Sequence, residues 1–155
     1  METFTDALAK HPFFEGLDHA LLELIASCAS DVSYEAGQMI YHEGEEGDHF
    51  LLVQQGKVSI EIFAGGRGSI SIQTVGPGEA LGWSWLFPPY RWHFDGRAVG
   101  LTRVLALDGT CLRQKCEEDP VLGYEFMKRF SHKMMESYDL ARLQLLDVYS
   151  AGINR

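Results

Sequence analysis

Leu122, Phe126, Phe130, Met134, Tyr138, Ala141, Leu145 and Val148 step by three or four residues along the last part of the chain. That spacing lines up one face of an α-helix. Met127, Met135, Leu143 and Leu146 widen the stripe. The pattern predicts a long helix from about Pro120 to Tyr149, and Pro120 suits its first turn because the first helical position needs no N–H. So wide an apolar face exceeds what packing on one small barrel requires. It predicts a homodimer seam running from Leu122 to Val148.

The centre of the chain, from Val32 to Asp108, carries a different period. Val58, Ile60 and Ile62 alternate with Lys57, Ser59 and Glu61, the signature of a half-buried strand. Ile70 and Ile72 repeat the alternation after Gly65-Gly66-Arg67-Gly68, a hairpin signal. Gly37, Gly44, Gly47, Gly56, Gly76 and Gly78 punctuate the rest at short intervals. Before this zone, Phe4, Leu8, Leu21, Leu22, Leu24, Ile25 and Cys28 recur near the helical period, with a break at His11–Gly16 and Asp18 as an N-cap. These periods predict a mainly β fold, a jelly-roll (double-stranded β-helix) barrel with N-terminal helices and a long C-terminal helix. One domain spans residues 1–155, divided into a helical segment 1–31, the barrel 32–108 and a C-terminal helical segment 109–155.

Composition narrows the function. With 46% hydrophobic and 23% charged residues in 155, the chain has material for one ordinary core. No apolar run reaches the ~20 residues that span a bilayer, and Met1–Asp6 lacks the features of a secretion signal, so the expected setting is the cytoplasm. A net charge of −9 argues against direct binding to nucleic acid or an anionic membrane. Three cysteines, Cys28, Cys111 and Cys116, leave an odd one in any pairing, and reduced thiols are expected.

Enzymatic and metal chemistry find no frame. The six histidines show no helix-face pair, and Cys111 with Cys116 lacks a second ligand pair for zinc. An iron–sulfur site would want four cysteines. Glu43–Asp48 does not match a calcium loop and reads as a solvated turn. No nucleophile–base arrangement emerges. The expectation is a non-enzymatic protein with no metal and no resident cofactor.

Pro77-Gly78-Glu79-Ala80-Leu81-Gly82, followed by Arg97-Ala98 and Val104-Leu105-Ala106-Leu107, joins Gly37, Ile40, Gly44, Gly47, Phe50–Val53 and Gly56-Lys57-Val58 in one order. This order resembles the cyclic-nucleotide-binding domains of the catabolite-activator (Crp/Fnr) type. The resemblance implies a phosphate-binding cassette opening at Gly82. There a short helix start and an arginine hold the cyclic phosphate, and a glutamate accepts from the ribose hydroxyl. Trp83 stands at the glutamate position, and an indole accepts no hydrogen bond. Counting back from Ala98, the phosphate arginine falls on Trp92, with Arg91 beside it and His93 following. A slight rearrangement of residues 87–95 is expected to carry Arg91 to the site.

Gly82, Trp83, Ser84, Trp85, Arg91, Trp92 and His93 are therefore the candidate ligand-binding residues. All three tryptophans lie in this stretch, either lining a pocket for an anionic, partly aromatic effector or plugging it as core. The family's transcription factors carry a DNA-binding domain after the long helix, and the residues up to Arg155 are too few for one. The expected function is a sensory or regulatory domain with a degenerate cassette, signalling through its last helix to a second copy or a partner protein. The alternatives are a genuine cyclic-nucleotide binder and a structural interaction module with a filled pocket.

Overall fold

Strand alternation decides how the centre of the protein divides. In the apolar run Phe50-Leu51-Leu52-Val53, Phe50 and Leu52 enter one buried cluster while Leu51 and Val53 enter another. Successive side chains of a strand point to opposite faces, so this strand is buried on both sides. Val104–Leu107 repeats the division, with Leu105 and Leu107 in the first cluster and Val104 and Ala106 in the second.

The computed structural model describes residues 2–153; Met1, Asn154 and Arg155, at the ends of the expected domain, lie outside the described residues. Helices α1 (Phe4–Lys10) and α2 (His19–Ala26) flank a 3-10 turn at Pro12–Phe14. Strands β1 (Ala29–Tyr34), β2 (Met39–Tyr41), β3 (His49–Gln55), β4 (Val58–Phe63), β5 (Ser69–Val75), β6 (Ala80–Leu81), β7 (Asp95–Ala98) and β8 (Thr102–Asp108) follow. Helices α3 (Gly109–Glu118) and α4 (Pro120–Ile153) close the described chain. The strands form two four-stranded sheets, ordered β1-β8-β3-β6 and β2-β7-β4-β5, with antiparallel ladders throughout. This is the jelly roll. Its first sheet is covered outside by Leu8, Phe14, Leu22, Ile25, Leu122 and Phe126 from the helices.

Asp119 ends α3 and starts α4, its Oδ1 accepting from Val121 N at 3.1 Å and Leu122 N at 3.4 Å. Arg129 then ties α4 to the N-terminal turn, donating to Phe13 O at 2.8 Å and Glu15 O at 2.9 Å. It also pairs with Glu125, and hydrogen bonds from Arg129 and Lys128 hold that carboxyl below the usual carboxylate range.

Several sequence expectations need correction. Leu122 and Phe126, counted in the dimer seam, are 0% and 2% exposed in the protein's own core. The unpartnered stripe begins beyond them, at residues such as Met134, Tyr138 and Leu145, each more than half exposed. Cys28 and Cys111 are not free thiols but a disulfide, leaving Cys116 as the free cysteine. Cys28 ends the α2 segment beside β8, where Asp108 N donates to Cys28 O at 2.9 Å, and this brings the first turn of α3 within reach. Asp18 precedes α2 but caps no N–H with its side chain. On β4 the polar positions are better buried than the expected apolar ones at its far end. Ser59 bonds Ser71 at 2.8 Å and Glu61 bonds Arg97 at 3.2 Å, whereas Ile62 is exposed on an overhanging hairpin.

His11 connects the N-terminal turn to the barrel. Its Nδ1 accepts from Phe13 N at 3.3 Å and its Nε2–H donates to Val53 O at 3.2 Å, an arrangement of the neutral ring. Burial accordingly holds its pKa below 6.5. The unfolded chain therefore takes up this proton at a higher pH than the folded one. Stability is fully present above the unfolded value and falls as pH drops through it, by up to about 1.4 kcal/mol per pH unit. Urea unfolding between pH 7.5 and 5.5 is expected to show this loss, and His11→Gln should flatten it. An unchanged slope in the variant would count against the assignment.

Candidate functional site

β6 ends at Leu81, and Gly82 turns the chain with φ of +91°, a conformation that side-chain-bearing residues rarely adopt. A Cβ there would stand 2.7 Å from Cη2 of Trp92 and 2.8 Å from His49 O. Glycine is required twice over, for its backbone and for the indole lying across it. Trp92 is buried and stacks on Tyr41 with ring centroids 3.6 Å apart and planes 7° apart. Tyr41 fits because Gly96 leaves room: a Cβ at Gly96 would stand 2.4 Å from the tyrosine ring. Burial, with Asp95 adding to it, raises the Tyr41 phenol pKa, so the ring is neutral.

The expected short helix after Gly82 is absent among the described residues. Leu86 N donates to Trp83 O at 3.1 Å and closes a single turn. Ser84 is buried, and Trp83 is half-buried with its ring against Phe50 at 4.6 Å and Phe130 at 4.8 Å. The indole leans toward the helix-side core and still forms part of a cavity wall.

That cavity measures about 520 Å³. Ile60, Ile72 and Val75 of the second sheet form one side, Leu81–Ser84 and Trp92–Phe94 another, and Phe130, Lys133, Ser137 and Leu140 of α4 the third. The lining is largely apolar and aromatic. Its charged groups are Glu79, Lys133 and Glu136, and the lysine Nζ lies 3.6 Å from the Glu136 carboxylate.

Five of the seven expected residues, Gly82, Trp83, Ser84, Trp92 and His93, meet at this cavity. Two do not. Trp85 is fully buried in the helix-side core, 5.4 Å from Phe126 and 6.0 Å from Phe50 between ring centroids. Arg91 is exposed outside the cavity, donating to Gly44 O at 3.3 Å and bridging Glu46 through the backbone. The rearrangement expected to bring its guanidinium inward is absent, because Trp92 N donates to Glu45 O and Gly44 N to Trp92 O, both at 2.9 Å. Those two bonds fix which neighbour faces in. Sequence reasoning missed Tyr41 and the α4 wall. Gly96 within a strand was the available signal for the first, and the 130, 133, 137, 140 spacing for the second. Among the described residues no cluster of His, Cys, Asp and Glu could hold a metal, and no helix is long and apolar enough to cross a membrane.

Comparison with known proteins agrees with this architecture. A CRP-like cAMP-activated global transcriptional regulator of Mycobacterium tuberculosis is 22% identical over 144 residues, covering 92% of this chain and 64% of the regulator. The chain thus spans somewhat under two thirds of the length of the curated relatives it matches. A structure described as a cyclic nucleotide-binding protein from Geobacter metallireducens GS-15 is similar with a TM-score of 0.75 and 26% identity, covering 85% of this chain and 95% of that one. The catabolite activator protein of Thermus thermophilus gives a TM-score of 0.69 and 27% identity over 88% of this chain and 63% of that one. The cyclic nucleotide-binding domain family itself matches residues 31–119, more than half of the chain, and the protein belongs to that family.

Proposed function

We propose that the chain acts as one non-enzymatic sensory domain, working in the cytoplasm, whose cavity takes a planar, largely apolar effector in place of a cyclic nucleotide. The observation that carries this reading is the Trp92 ring stacked on Tyr41 over Gly82. By the family count that position belongs to the phosphate arginine, and an indole offers a cyclic phosphate no counter-charge. Trp83, at the ribose carboxylate position, offers no acceptor either. The cassette is on this reading degenerate for nucleotides but retains a lined cavity. Among the described residues Lys133, 3.6 Å from the Glu136 carboxylate, is the one Lys or Arg in that lining, so an acidic group on the effector would compete with Glu136 at the α4 side and would not meet Arg91. The aromatic rings supply the contact area.

Cyclic AMP and cyclic GMP are expected to bind more weakly than ~100 μM. Loss of a buried hydroxyl's partner weakens a micromolar ligand about a hundredfold, roughly 2.7 kcal/mol. Calorimetry checks this, and low-micromolar binding by the unaltered protein would favour the genuine cyclic-nucleotide binder instead. If the rest of the pocket is otherwise intact, Trp83→Glu returns an acceptor at a half-buried position and tightens cyclic AMP binding measurably.

The output proposed is a homodimer through α4. Met134, Tyr138, Ala141, Leu145 and Val148 alternate steps of four and three, the spacing of a coiled-coil seam, and all are exposed. The cavity-lining residues Phe130, Lys133, Ser137 and Leu140 occupy a neighbouring face. One helix thus presents the cavity on one side and a seam on another. Replacing Tyr138 and Leu145 with glutamate buries like charges across a two-fold seam and is expected to weaken association by on the order of a hundredfold or more. Sedimentation velocity measures this. A wild-type protein that stays monomeric at high micromolar concentration would overturn the seam.

A further inference from the structure

α3 is a ten-residue helix whose buried residues are Gly109 and Leu112. So short a helix has little stability of its own, and its hold depends on what ties it down. Cys111 in its first turn is bonded to Cys28, 83 positions earlier in sequence, with Cα atoms 5.7 Å apart. The same helix grips the segment leading into the cavity wall. Gly109 packs so closely on Trp85 that a Cβ would stand 2.5 Å from the Trp85 Cβ. Arg113 donates to Trp85 O, and its guanidinium carbon lies 4.2 Å from the centroid of the Tyr90 ring. Tyr90 needs such support, because its φ of 57° is in the left-handed region that costs a side-chain-bearing residue free energy. Two residues later the chain places Trp92 and His93 in the cavity wall.

We propose that the Cys28–Cys111 pair is a redox control on the cavity, exerted through α3 and Arg113. With the bond closed, α3 is fixed and Arg113 holds residues 85–90, the segment that delivers Trp92 to its bonds with Gly44 and Glu45 over Gly82. With it open, the helix start loosens and the cavity's grip on an effector falls. This control rests on the reading of the cavity as an effector site. Cys111 is partly exposed and Cys28 nearly buried, so an external thiolate attacks the Cys111 sulfur. The S–S bond breaks as the mixed disulfide forms, and Cys28 leaves as thiolate with the Ser27 hydroxyl 4.0 Å from its sulfur. A second external thiol resolves the mixed disulfide. In sum, one protein disulfide and two small thiols give two protein thiols and one small disulfide. Cys116 takes no part, because burial pushes its thiol up to about 11 and keeps it protonated. Where disulfides occur in reducing compartments they are usually transient or redox-sensing, which suits a bond of this kind.

Hydrogen exchange and a fluorescent probe test the control together. Exchange at residues 85–91 is measured in the oxidised protein, after reduction with tris(2-carboxyethyl)phosphine, in Cys28→Ser/Cys111→Ser, and in Arg113→Met. Reduction and the double cysteine variant are each expected to speed exchange there at least fivefold while β3 and β8 stay protected. Arg113→Met should speed it with the disulfide intact, and Arg113→Lys should restore part of the protection. Anilinonaphthalene sulfonate, followed by energy transfer from tryptophan, is expected to bind the oxidised protein several-fold more tightly than the reduced one. Unchanged exchange at 85–91 on reduction would overturn the control, as would a rise spread equally over β3 and β8, since the bond would then hold the whole fold. Equal probe affinity in both redox states would overturn it too. Absence of probe binding in the oxidised protein would instead remove the effector reading, and with it any control of an effector's grip.

Discussion

Everything attached to the barrel depends on the first sheet being apolar on both faces. β3 and β8 send Leu51, Val53, Val104 and Ala106 inward, and Phe50, Leu52, Leu105 and Leu107 outward. Each large side chain so buried contributes about 1.5–3 kcal/mol, and the outward set gives the helices something to pack on. Leu8, Phe14, Ile25, Leu122 and Phe126 use that surface. Without it α4 would have no seat, and its first two turns would join the exposed remainder. The two clusters are separate but share a backbone, so what disturbs the cavity side is felt at the spacing of the helix side.

Trp83 is where the two sides meet. Its ring touches Phe50 and Phe130 in the aromatic group that also includes Phe13, yet it lines the cavity. A glutamate at this position could not pack there without bringing a charge into an aromatic cluster. The Trp83 indole thus gives the loop after Gly82 an apolar contact with α4 through Phe130. Trp92 shows the complementary change, filling space over Gly82 with a ring stacked on Tyr41. On the proposed reading, two indoles stand where the family count puts two charged groups, and the Trp83 ring adds contact with α4 through Phe130.

The architecture was legible because it rests on period. Strand alternation, glycine spacing and the long helical stripe report where strands, turns and the last helix lie, and β8 ends at Asp108 where α3 begins at Gly109. The site was legible only in part. Side-chain direction within an irregular loop follows from its hydrogen bonds, and nothing in the residue types of Arg91 and Trp92 says which faces inward. The bonds of Trp92 with Gly44 and Glu45 decide it, across a gap of nearly fifty residues. Trp85 was misplaced for the same reason. The disulfide was hidden by arithmetic, since an odd number of cysteines does not reveal that the residue before β1 and the first turn of α3 meet where β1 pairs with β8. Leu122 and Phe126 fitted the seam by period, and only the position of the barrel shows that the helix spends them on its own domain.

The phase of α4 carries the remaining step. Residues 130, 133, 137 and 140 look onto the cavity, while 134, 138, 141, 145 and 148 form an exposed stripe, the proposed seam. Adjacent positions on a helix differ by about 100°, so the two faces are neighbours and rotate as one body. On the proposed reading, an effector that fills the space between the second sheet and Phe130 or Leu140 alters the contacts that set this rotation. It influences the dimer only to the extent that it binds one rotation better than another. The Arg129 bonds to Phe13 O and Glu15 O limit that freedom at the base of the helix. The compliant part therefore lies beyond Phe130, where cavity and seam are the contacts left to decide the angle.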